Sequence, residues 1–247
     1  MHRRTRCAGT QVSAPVVWLP GWSTGDEVFG ALRAVLPGSR HHGCDFGGCV
    51  EASEFALAAR AAVLALSTPV DLVGWSMGAM VGLELARDLP GRIRRLVLIS
   101  GCRRFLAARP EAEGVSPQAL ERMSAALERN AAVVVQRFRE RMFSAPERAA
   151  GYAGAFAAEH GVNVQPAPSL AAGLSYLGGF AVEPAALRCE TFLLHGAADD
   201  LCPLSSAREL ADGIEGAQLT VWPDVGHAPF YTRVEATQSW LAGVLAQ

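Results

Sequence analysis

Residues Gly74-Trp75-Ser76-Met77-Gly78 sit between an apolar strand-like run and an apolar helix-like run. That placement constrains the fold more than any other feature of the chain. A serine hydroxyl attacks a carbonyl only if it is exposed beside a base, and a sharp strand-to-helix turn pushes Ser76 out of the backbone for that purpose. Such a turn crowds its neighbours, so Gly74 and Gly78 leave room where side chains would collide. The turn also sets the backbone N–H of Met77 at a helix N-terminus, where it can donate to an oxyanion with help from the helix dipole. Taken alone, the pentapeptide also fits a glycine-rich turn in an ordinary strand–helix unit. Its context favours the first reading. Pro69 to Val73 reads as a short buried strand and Met77 to Asp88 as a helix with small residues facing a sheet. Leu89-Pro90-Gly91 stops the helix, and Ile93 to Ile99 is the next strand.

The same alternation runs along most of the chain. Strands are expected near Val16–Leu19, Arg40–Cys44, Val70–Gly74, Ile93–Ser100, Thr191–His195 and Gln218–Trp222. Helices are expected near Asp26–Leu36, Glu51–Leu66, Met77–Leu89, Ser205–Gly213 and Val234–Leu245. This order predicts an α/β fold, a mostly parallel sheet flanked by helices. The pattern breaks between residues 103 and 180. That stretch offers helix-like pieces at Pro117–Asn130, Ala131–Phe143 and Pro146–Glu159, then a proline-rich joint at Gln165-Pro166-Ala167-Pro168. The expected organisation is a core of residues 1–102 and 181–247 with a helical lid inserted at 103–180. A lid there would cover the carboxyl edge of the sheet, where open α/β sheets bind ligands.

Half of the 247 residues are hydrophobic and the net charge is −2. Nothing in that balance suggests a nucleic-acid partner, and no apolar run approaches the roughly 18 residues of a membrane span. The basic start Met1–Arg6 is followed by too short an apolar run for a signal peptide, so a cytoplasmic location is expected. The six cysteines Cys7, Cys44, Cys49, Cys102, Cys189 and Cys202 lack Cys-x-x-Cys spacing and read as reduced thiols, mostly core fillers. Cys44 with His41 and His42 could be imagined as a metal cluster, but no second ligand group follows at finger-like spacing. No metal and no cofactor is expected.

A serine nucleophile needs a base, and the base needs an acid to orient it. His227, in Val225-Gly226-His227-Ala228-Pro229-Phe230, follows the last expected strand and suits the first role. His2, His41, His42, His160 and His195 suit it less. Two aspartates compete for the second role in His195-Gly196-Ala197-Ala198-Asp199-Asp200. The Gly-x-x-Asp-x-x-x-Pro phasing selects Asp199 over Asp200. Pro20-Gly21-Trp22 follows the first strand, and the Trp22 backbone N–H is the natural second oxyanion donor beside Met77.

These residues resemble the α/β-hydrolase superfamily over nearly the whole chain. Within it the likeness is to the pimeloyl-acyl carrier protein methyl ester esterases of biotin biosynthesis. It rests on Gly-Trp-Ser-Met-Gly at the elbow, Pro20-Gly21-Trp22-Ser23 after the first strand and His227-Ala228-Pro229-Phe230 at the base. The insertion entry, from Arg103-Arg104-Phe105 to Gly114-Val115-Ser116-Pro117, is also similar. The resemblance implies a serine esterase with Ser76 as nucleophile, His227 as base, Asp199 as its partner, and Trp22 and Met77 at the oxyanion. It implies acyl-chain contacts by Trp22 and by a lid stretch matching Phe138 to Met142, with Phe138 and Met142 as candidates. Where many relatives carry His-Gly, this chain has Pro20-Gly21.

The implied partner is an acyl carrier protein bearing the ester, and the enzyme is expected to be a monomer. Residues 103–148 hold nine arginines and six glutamates, a net of +3, which suits an acidic partner. Arg137 falls where the resemblance suggests a carrier contact, Arg141 is a second candidate, and Arg139 and Arg148 are neighbours that could join them. An ordinary solvated helix face explains the same charges. A general short-chain esterase, a thioesterase, a carbon–carbon bond hydrolase and a non-catalytic ligand receptor stay open on the same scaffold.

Overall fold

The computed structural model describes residues 13–107, 113–161, 165–183 and 187–246. The basic start, His2 and Cys7 lie outside these, as do residues 108–112 of the insertion entry.

Six strands form one sheet: β1 (Val16–Leu19), β2 (His41–Gly43), β3 (Val70–Trp75), β4 (Ile93–Ile99), β5 (Glu190–Gly196) and β6 (Gln218–Trp222). The order is β2-β1-β3-β4-β5-β6, and all five pairings are parallel. Every residue of β1 and β3 is buried. Successive side chains of a strand point to opposite faces, so burial of all of them means both faces are covered. Helices α1 (Gly30–Arg33), α2 (Ala52–Leu64), α3 (Met77–Asp88), α9 (Leu204–Gly213) and α10 (Val234–Ala246) provide that cover.

The expected Asp26–Leu36 helix is instead a 3₁₀ turn at Asp26–Phe29 followed by the single turn of α1. Gly25 caps it with no side-chain acceptor, and Gly30 interrupts it, so little favours a longer helix. By contrast α2 starts on a capping box in which Glu51 and Glu54 each accept the other's backbone N–H.

Between β4 and β5 lie α4 (Pro117–Leu127), α5 (Ala131–Arg141), α6 (Ala145–Ala149), α7 (Tyr152–His160) and α8 (Ala167–Gly179). The expected Pro146–Glu159 helix is two helices, broken where Gly151 takes a φ of +86°. The proline-rich joint is the beginning of α8. Pro166 caps that helix and Pro168 stands in its first turn, where a missing N–H costs nothing. The two ends of the insertion meet at a neck. Arg104 bridges Ala181, and the Val182 N–H donates to the Arg103 carbonyl at 3.1 Å.

The chain turns from β1 outward to β2, then back to β3 on the other side. The carboxyl ends of β1 and β3 therefore flank the point where the winding reverses, which is where such sheets form a crevice. Trp22 follows β1 and Ser76 follows β3.

Candidate active site

Ser76 has φ 56° and ψ −120° and caps α3. Few non-glycine residues tolerate this geometry, and it persists because neighbours over-determine it. The Ser76 N–H donates to the Ile99 carbonyl at 3.0 Å, and its own carbonyl accepts from Ala79 and Met80. A Cβ on Gly78 would meet the Leu19 carbonyl oxygen at 2.0 Å, and one on Gly74 would meet the Gly78 oxygen at 2.5 Å. Both glycines are thus required for β1, β3 and α3 to converge on the turn.

His227 Nε2 lies 2.8 Å from Ser76 Oγ, and His227 Nδ1 lies 2.7 Å from Asp199 Oδ2. Asp199 Oδ1 accepts the backbone N–H groups of Leu201 and Cys202, each at 2.9 Å. Burial acts to raise the Asp199 pKa, but His227, with His195 and the Cys202 N–H behind it, outweighs burial and holds the carboxyl below its ordinary range. Asp200 is exposed, and among the described residues it is engaged through its backbone carbonyl, by Arg141 at 3.1 Å. The structure therefore brings together Ser76, His227 and Asp199. A hydroxyl so held can lose its proton to the imidazole as it attacks a carbonyl, with the carboxylate fixing the ring.

Trp22 enters from the other side. A Cβ on Gly21 would lie 3.3 Å from Ser76 Cβ and 2.9 Å from the Trp75 ring, so this loop passes directly beside the elbow. The Trp22 indole packs edge-on against Phe138, centroids 4.8 Å apart, and donates to the Leu170 carbonyl at 2.9 Å. Met142 is buried, and its carbonyl accepts the His227 N–H at 2.6 Å. Ser76 is only 3 % exposed and His227 is fully buried.

Several contributors escape a reading of the sequence. The Trp75 indole donates to the His227 carbonyl at 2.8 Å. Buried Glu147 accepts the N–H groups of Gly226 and Ser144 at 3.0 and 2.8 Å. Ser144-x-x-Glu147 is legible as a capping box, yet nothing local says that it also grips the loop that carries His227. His195 lies 3.5 Å from Asp199 and hydrogen-bonds the Cys202 carbonyl at 2.7 Å. Burial holds its pKa below the ordinary value, so it is a neutral brace that donates from Nε2, not an ion-pair partner. The sulfurs of Cys102 and Cys202 touch at 3.2 Å, both buried. Among the described residues no group of His, Cys, Asp and Glu is arranged to hold a metal, and no helix is long and apolar enough to cross a membrane.

On α5, Arg137 and Arg141 are exposed one helical turn apart. Arg141 borders an open cavity of about 690 Å³ beside the loop that carries Asp199. The expectation that Arg139 could join them at the surface is overturned. It is 1 % exposed and points inward, because positions two residues apart face opposite sides of a helix.

A family model described as the alpha/beta hydrolase family matches residues 16–237. A pimeloyl-[acyl-carrier protein] methyl ester esterase of Aromatoleum aromaticum is 32% identical over 89% of this chain and 93% of its own length. A protein of the same name from Vibrio campbellii is 27% identical over 90% of each chain. Among solved structures, the esterase EaEST from Exiguobacterium antarcticum superposes with a TM-score of 0.82 at 20% identity, over 95% of this chain and 92% of that one. The chain belongs to the alpha/beta hydrolase family, among its ester hydrolases.

Proposed function

We propose that the protein hydrolyses the methyl ester of a pimeloyl chain carried on acyl carrier protein. The hydrogen-bonded line Ser76–His227–Asp199 carries the chemical part of this reading. Ser76 Oγ adds to the ester carbonyl as His227 Nε2 takes its proton. The resulting oxyanion is met by the backbone N–H groups of Trp22 and Met77. Collapse expels methanol, protonated by His227, and leaves an acyl-enzyme. Water then attacks, again giving its proton to His227, and the free acid departs as Ser76 regains its hydrogen. Asp199 keeps the imidazole in the tautomer that accepts from Ser76.

The carrier part is supported by the full-length similarity to relatives bearing that name and by the exposed Arg137 and Arg141 on α5. In this reading residues 103–180 act as the lid. Phe138 and Trp22 line the acyl path, and Met142 closes its inner end. Ser76 is nearly covered, so substrate entry requires α5 and α8 to part.

The test is growth of a biotin-requiring strain that lacks its own esterase. The wild-type gene should restore growth, and Ser76→Ala should not. Methanol release from the purified carrier-bound ester should follow the same pattern. Failure of the wild type to rescue, together with turnover of small free esters only, would return the protein to a general short-chain esterase.

A further inference from the structure

Arg139 is a buried cation whose hydrogen-bond partners are not carboxylates. Its Nη2 donates to the Ser23 carbonyl, its Nε reaches Ser23 Oγ at 3.4 Å, and the guanidinium lies 5.7 Å over the Phe156 ring. Its Nη1 is buried without a partner among the described residues. Burying an uncompensated charge is costly, and here burial pulls the Arg139 pKa down to about 10. Packing alone would be served as well by an apolar side chain of that length.

What Arg139 grips is the strained point of the oxyanion loop. Ser23 takes a φ of +65°, a conformation that costs a non-glycine residue free energy unless its surroundings enforce it. On one side of Ser23, Thr24 donates to the Gly21 carbonyl through both its N–H (3.4 Å) and its Oγ1 (3.0 Å). That carbonyl belongs to the same planar peptide unit as the Trp22 N–H, and in a trans peptide the two point in opposite directions. Fixing Gly21 O therefore aims the Trp22 N–H. The Thr24 carbonyl is in turn held by Gln165 at 3.0 Å, and the Trp22 indole by the Leu170 carbonyl. All three restraints come from the insertion, and only the one from Arg139 is charge-assisted.

We infer that Arg139 is a positioning residue for ester hydrolysis, which holds Ser23 in its left-handed conformation and so aims the Trp22 N–H at the oxyanion. A consequence is that the hole is complete only while the insertion is closed. The inference rests on the assignment of the Trp22 N–H as an oxyanion donor.

A small free ester, p-nitrophenyl butyrate, tests it without involving any carrier. Arg139→Met should lower kcat about tenfold with little change in KM, less than the loss of an oxyanion donor itself. Affinity for butylboronic acid, which forms a tetrahedral adduct on the serine, should fall by a similar factor. Amide exchange over residues 21–25 should quicken. Arg139→Lys, which keeps a charged donor but not the planar fork, should lose only about threefold. It also serves as the test if the Met variant does not fold. Wild-type kcat and wild-type exchange in either variant would overturn the inference, as would a raised KM with unchanged kcat, the mark of a lid residue that only packs. Faster exchange with undiminished boronate affinity would instead remove Trp22 from the oxyanion hole, and the inference with it.

Discussion

The indole N–H of Trp75, the residue before Ser76, donates to the backbone carbonyl of His227 across 2.8 Å. The turn thus braces His227 as well as presenting Ser76. The Trp75 ring also packs edge-on against Phe230, three residues beyond His227, with centroids 4.9 Å apart. Trp75→Phe keeps most of the ring and removes the donor. We expect kcat to fall on the order of tenfold through a displaced imidazole, with the fold retained. Steady-state kinetics beside a thermal melt checks this, and a variant with undiminished kcat would show that the His227 loop is held adequately from its other side.

Asp199→Asn should lower kcat on the order of 10³–10⁴-fold, because an amide cannot hold the imidazole in the tautomer that accepts from Ser76. Asp200→Asn should leave kcat near the wild-type value, since that side chain is exposed. Ranking the two variants on one ester decides the matter, and the reverse order would transfer the role to Asp200.

The carrier reading makes a salt-dependent prediction, and Arg137 is the cleaner residue for it. Arg141 also holds the Asp200 carbonyl, so its loss would disturb the acid loop. Arg137→Glu should reduce kcat/KM for the carrier-bound ester and leave a free methyl ester unaffected. The difference should shrink with added salt, because exposed charges are screened beyond about 8 Å at physiological ionic strength. Equal losses on both substrates would mean that Arg137 supports the insertion instead.

Acid sensitivity should begin with buried His195. Burial disfavours its charged form, so its folded pKa lies below the ordinary 6.5. As pH falls, the unfolded chain takes up that proton first. Stability is therefore full above the unfolded pKa and declines as pH drops below it toward the folded value. His160 is shifted the same way, again by burial. Asp199, with its lowered pKa, adds a further loss at still lower pH. The melting temperature should decline between about pH 7.5 and 5.5, and His195→Asn should make that slope shallower. An unchanged or steeper slope would place the responsible group elsewhere.

Much of this was legible in the sequence, because local rules decide it. Alternating apolar strands and helices dictate a parallel sheet covered on both faces. The glycines about Ser76 dictate a turn that only they allow. The phasing from Gly196 to Pro203 separates Asp199 from Asp200. Those signals lie within a few residues of one another, where sterics and hydrogen bonding act directly.

Tertiary structure decided the rest, because the deciding contacts join residues far apart in the chain. Sequence pattern alone puts Arg139 among the surface charges, and its burial follows from which face of α5 meets the loop after β1. Glu147 was legible as a capping residue, yet its second partner, Gly226, lies 79 positions away. The start of α8 looked like a joint, since two prolines there mark a helix beginning and a loop equally well. By itself the sequence determined the catalytic candidates and the sheet that carries them. Only the packing of distant elements against one another decided which side chains hold those candidates in line, because side chains that pack across a fold need no pattern along the chain.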